Sequence, residues 1–155
     1  MSFWAYAMGE PKSIIDRNNN KIILRSSLYP RKRYWEWIIS DDVIIFNQDT
    51  RKGIVSETIL ISQISEMELN LARTGISGDL IIEGRTPKHW VRPISFSGPD
   101  MFVAYEAYAY ILAQRINDTQ NPIKHRISPV LVGMKQGLDN GELDKEALRA
   151  KGVHF

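Results

Sequence analysis

The sequence predicts a mainly β domain: an antiparallel barrel or sandwich of about seven strands capped by one C-terminal amphipathic helix, with a further short helix at the chain end. Three observations carry this. Short runs rich in Ile, Val, Phe and Trp recur between turn signals from residue 21 to residue 96. The apolar period then lengthens from two to the helical 3.6 beyond Gly98-Pro99-Asp100. With 155 residues and 43% hydrophobic side chains, the chain suits one domain with an appendage, and a second full domain would not fit.

The sharpest strand signal is residues 31–46, RKRYWEWIISDDVIIF. Alternation puts Trp35, Trp37 and Ile39 on one face of a strand, which calls for burial. Asp41-Asp42 interrupts the pattern and Val43-Ile44-Ile45-Phe46 resumes it, as in a tight hairpin; aspartate tolerates the positive φ of such turns. Upstream, residues 1–20 read as an N-terminal arm ending in the turn cluster Asp16-Arg17-Asn18-Asn19-Asn20. Residues 21–28 form a first strand that Tyr29-Pro30 ends.

Downstream, residues 47–53 form a polar turn and residues 54–61 the next strand. In residues 64–71, Met67, Leu69 and Leu71 face the core while Glu66, Glu68 and Asn70 face water. Residues 79–83 make a short strand after the glycine turn of residues 74–78. Residues 89–96 close the series, and Pro93 places that strand at an edge or a bulge.

The helix starts at Ser97-Gly98-Pro99-Asp100, with proline in the first turn and aspartate at the positive end of the dipole. Met101, Ala104, Tyr105, Tyr108, Ile111, Leu112 and Ile116 form its apolar stripe. Tyr110, Phe102 and Val103 project away from it, a candidate partner surface. Residues 119–138 are expected to be a linker, and residues 139–155 a tail with a short helix from Asp144 to Gly152 that must dock to be stable.

This order of elements resembles the pleckstrin-homology-like fold, in particular its bacterial branch, over residues 21–118. The resemblance rests on the hairpin WIISDDVIIF, the segment TILISQISEME, the strand GDLIIE and the helix after Gly98-Pro99. Residues 141–151, GELDKEALRAK, are similar to one helix of the short C-terminal module called SHOCT. The resemblance implies a binding or assembly module with oligomerisation or docking by the tail, and it transfers no catalytic residue.

Lys and Arg number 20 against 18 acids, a net charge of +2 that does not call for a nucleic-acid partner. No cysteine is present, which excludes disulfides, thiolate metal sites and a thiol nucleophile. His89, His125 and His154 lie in no ligand-spaced motif, so no metal is expected. No phosphate loop, nucleophile elbow or HExxH occurs, so the chain is read as a non-enzyme without cofactor. The N-terminus lacks a signal-peptide pattern, and a cytoplasmic protein is expected.

The expected function is therefore protein–protein contact or self-association. The alternative is capture of an anionic lipid headgroup or nucleotide by basic loops, Arg31, Lys32 and Arg33 together with Arg51 and Lys52, with peripheral membrane contact as the minor consequence. The candidate binding residues are those five, plus Phe102 and Tyr110.

Overall fold

The computed structural model describes residues 13–28, 33–71, 77–97 and 100–140. Five antiparallel strands make the first sheet, in sequence order: β1 (Ile14–Asp16), β2 (Lys21–Leu28), β3 (Arg33–Ser40), β4 (Val43–Thr50) and β5 (Gly53–Leu60). A single 3-10 turn, Ile61–Gln63, carries the chain to the second sheet. There β6 (Ile64–Leu71), β7 (Ser77–Gly84) and β8 (Trp90–Ser97) form an antiparallel meander. After helix α1 (Met101–Arg115), strand β9 (Lys124–Ile127) adds to β6 in parallel, giving the order β8-β7-β6-β9, and helix α2 (Pro129–Asp139) follows.

The sheets face each other but remain open, so the expected barrel or sandwich is two open sheets and not a closed barrel. Strand alternation places Leu24, Trp37, Ile39 and Ile44 of the first sheet against Leu69, Leu80, Ile82 and Ile94 of the second, all buried. In β6 the register shifts between Ile64 and Glu66, a bulge that lets Ile64 and Met67 both point inward three residues apart. Asp41 takes φ 50° in the β3–β4 turn, the left-handed conformation expected of it.

Two glycines of β7 make room for aromatic rings from β8. Gly84 lies opposite Trp90 and Gly78 opposite Phe96, and a Cβ on either would overlap the ring it faces. Trp35 shares the inner face with Trp37 and Ile39 but is only half-buried, because it sits where the two sheets part.

Helix α1 corrects the expectation for its exposed face. Met101, Phe102, Val103 and Ala104 are consecutive and all buried, so the first turn is covered on every side. A single-stripe reading assumes that one face meets the sheet and the other water. Here the helix packs against strands of both sheets, β2 of the first and β6, β7 and β8 of the second. Phe102, 3% exposed, is thus a core residue and not a partner surface. Tyr105 is half-buried, while Tyr108, Ala107 and Ile111 hold the core stripe.

Arg115 closes the last turn of α1 and is 3% exposed. Its Nη1 donates to the carbonyl of Ile61 at 2.8 Å and to that of Ile64, and its Nη2 donates to the carbonyl of Asn121. Its Nε lies 3.3 Å from Asp118 Oδ2. One guanidinium therefore ties the helix end, the turn between the sheets and the following loop together. Asn121 adds a bond from its Nδ2 to the Ser62 carbonyl at 2.9 Å.

The segment expected to be a linker is folded in part. Its β9 carries only four residues, with three of them exposed, so no alternation marks it; a parallel ladder with β6 and a Tyr108–His125 hydrogen bond of 2.8 Å hold it. Helix α2 begins with Pro129 at its first position and contains Gly133 and Gly137, a weak helical sequence anchored by buried Leu131. Part of the expected arm, Ile14–Asp16, is likewise a strand, paired to β2. The expected tail helix lies outside the described residues.

Trp37 is fully buried, and its ring centroid is 6.1 Å from that of Phe46. Trp37→Ala is expected to cost about 3–5 kcal/mol in equilibrium urea unfolding, since the truncation leaves a cavity that both sheets line. Asp118 offers a pH test. Backbone N–H bonds from Asn121 and Gln120 and the Arg115 charge favour its carboxylate and hold its pKa below the ordinary 3.8. The folded-state value is lowered, so the contribution is whole above the unfolded value and lost as pH falls through the folded one. Asp118→Asn should therefore lower stability at neutral pH and converge on the parent chain well below pH 3.8. Equal stability at neutral pH would contradict this role.

Candidate functional site

Among the described residues the two open sheets leave four edge strands, and three of them are blunted. β1 is three residues long; β8 carries Pro93; β9 is four residues long and presents Lys124 and Arg126. β5 is different. It runs for eight residues, GIVSETIL, in unbroken register with β4 from Val43↔Leu60 to Thr50↔Gly53. It contains no Lys, Arg, Pro or bulge, and seven of its eight residues are exposed, with Ile54 at 62% and Val55 at 55%.

The phase of the ladder can be fixed. The N–H of Ile61 donates to the Asp42 carbonyl at 2.8 Å, so the odd-numbered residues of β5 exchange bonds with β4. The backbone groups of Ile54, Ser56, Thr58 and Leu60 accordingly turn outward. A polar ladder across the outer face of the sheet holds β5 in place: Ser56 Oγ donates to Asn47 Oδ1 at 2.6 Å, Asn47 Nδ2 to Glu36 Oε1 at 3.2 Å, and Arg25 Nε to Glu36 Oε2 at 2.8 Å. Each partner lies on the neighbouring strand in register.

Between β5 and β8 the sheets part into a cleft of about 440 Å³. Its apolar wall is Trp35, Phe46 and Val55, with Gln48 beside them, and Glu57 and Arg92 cross its mouth. Arg92 Nε and Nη2 donate to the two Glu57 carboxylate oxygens at 2.8 and 2.9 Å. Arg92 also donates to the Val91 carbonyl and stands 6.0 Å from the Trp90 ring centroid. The bidentate pair is the one hydrogen-bonded side-chain tie between β5 and the second sheet among the described residues.

Of the residues singled out in the sequence, Arg51, Lys52 and Tyr110 fall at two ends of the first sheet. Arg51 and Lys52 form the exposed β4–β5 turn, at the end where β3 begins with Arg33. Arg31, Lys32 and the side chain of Arg33 lie outside the described residues. Tyr110 is at the opposite end, about 25 Å away along eight residues of strand. Its hydroxyl donates to the Asp41 carbonyl at 2.7 Å, beside the same bond from Gln114 Nε2. Burial, and then the Asp41 charge, push its phenol above the ordinary value. Tyr110 therefore fastens α1 to the β3–β4 turn and does not join the basic loops.

Ile54, Val55, Glu57 and Arg92 escaped sequence reasoning. The signal was present in β5 itself, a β-branched run without a charge of either sign other than Glu57. The acids on the outer face of the second sheet are, by contrast, each paired. Glu68 pairs with Arg126, Glu66 with Arg85 and Glu83 with His89, whose hydrogen bond lowers the Glu83 pKa. Among the described residues no group of His, Asp and Glu is placed to hold a metal ion, and no helix is long and apolar enough to cross a membrane. Comparison of the chain with protein-family models, curated proteins and solved structures found no match.

Proposed function

We propose that this chain is a non-catalytic binding and assembly module of the pleckstrin-homology-like type, and that it takes an extended polypeptide strand along β5. The single observation that carries the reading is the edge left unpaired among the described residues: four outward-turned backbone pairs on a long, regular, exposed strand, where the other described edges are blunted. Main-chain hydrogen bonds supply affinity in such strand addition, and the Trp35–Phe46–Val55 cleft beside β5 supplies a pocket for an inward-pointing side chain. The pleckstrin-homology-like reading draws support from the order of elements, five meandering strands, three more, then a helix.

A second reading is favoured by one further observation. Arg51 and Lys52 are exposed at the end of the sheet where β2 ends and β3 begins, an arrangement suited to an anionic headgroup or nucleotide. Arg51→Glu with Lys52→Glu should then abolish sedimentation with anionic vesicles, and unchanged sedimentation would remove this reading.

For the leading reading, peptides selected from a random library on the immobilised chain are expected to bind β5. Ile54→Lys with Thr58→Lys places two charges on the edge and should weaken those peptides by about tenfold or more. Selected peptides whose affinity ignores that double variant would remove β5 as the site.

A further inference from the structure

Resting on the β5 reading, we infer that the strand received is β5 of a second copy of this chain, paired antiparallel across a two-fold axis at Glu57. The phase of the ladder limits how a partner can pair. Only Ile54, Ser56, Thr58 and Leu60 turn their N–H and C=O groups outward, so any partner strand must bond to these four. Two copies of β5 can align antiparallel with all four matched in one register, Ile54 opposite Leu60 and Ser56 opposite Thr58 of the other copy. A slip of two residues in either direction carries one outward residue past the end of the partner strand.

In that register the side-chain chemistry matches as well. The outer face of β5 reads apolar, hydroxyl, hydroxyl, apolar in both directions, so Ile54 meets Leu60 and Ser56 meets Thr58 on each side of the axis. Ile54 and Leu60 are among the large apolar side chains the fold leaves exposed, at 62% and 41%. A patch that is its own complement is what a two-fold interface requires. The product is a continuous sheet of ten strands, five from each copy.

The inner face contains the obstacle to this pairing and its remedy. The two Glu57 side chains come to lie opposite each other, which would oppose association if they were bare. Each is already held through both carboxylate oxygens by Arg92 of its own chain, which balances the charge at the axis. The Glu57–Arg92 pair thereby serves the interface as well as the seam between the sheets.

The chain has no cysteine, so introduced thiols report without background. Ser56→Cys and Thr58→Cys variants, each confirmed folded by circular dichroism, are mixed in equal amounts and oxidised under mild conditions. Opposed residues in an antiparallel pair lie within disulfide reach. The mixed disulfide between the two variants should exceed either homodisulfide severalfold, and Ile54→Lys in both chains should abolish it. Preferential coupling of the Ser56→Cys variant to itself would overturn the register and the proposal with it. A chain that stays monomeric by light scattering and forms no disulfide, yet still binds library-selected peptides along β5, would overturn self-pairing and leave the edge reading standing. Loss of both would remove the two together.

Discussion

Backbone hydrogen bonding at an open sheet edge is the constraint on which the rest of this molecule turns. A sheet that closes on itself has no edges; the two open sheets have four among the described residues, and each presents N–H and C=O groups that must meet water or a partner. The chain handles three of them by length, by proline and by lysine and arginine. The fourth, β5, is as long as its neighbour and carries no such device. The proposed function rests on that edge.

The frame that holds β5 open to solvent depends on a buried charge. Arg115 reaches from the end of α1 to the turn where the first sheet becomes the second, and its guanidinium serves carbonyls of Ile61, Ile64 and Asn121. Asp118 supplies the nearby negative charge. A buried guanidinium without those acceptors would be costly, and removal of a partner leaves the charge uncompensated. The turn follows β5 directly, so the clamp fixes the end of the edge strand while the Glu57–Arg92 pair fixes its middle.

Much of the β content was legible in the chain. Alternation identified Trp37, Ile39, Met67 and Leu69 as inward, and all four are buried. The Asp41-Asp42 break marked a turn, and the lengthened period marked α1. What was not legible depends on tertiary placement. Phe102 and Val103 are covered because the first turn of α1 is enclosed, which a one-face pattern cannot express. Arg115 reads as an ordinary basic residue near a helix C-terminus, and its burial follows from a turn more than fifty positions upstream. β9 and α2 lack periodicity or propensity and owe their form to β6 and to buried Leu131. The β5 site was not legible: Glu57 and Arg92 are 35 positions apart and only the packing of the sheets joins them, while the polar Arg51-Lys52 turn is exposed as such a turn should be.

The most direct measurement of the central claim is amide hydrogen exchange within β5 over a range of protein concentrations. Odd-numbered residues bond to β4 in any case, and the even-numbered amides have no backbone partner among the described residues of the single chain. Exchange at Ser56 and Thr58 should slow as concentration rises while Val55 and Glu57 stay protected throughout. Rapid exchange of Ser56 and Thr58 at every concentration, including that at which light scattering reports a dimer, would contradict the account.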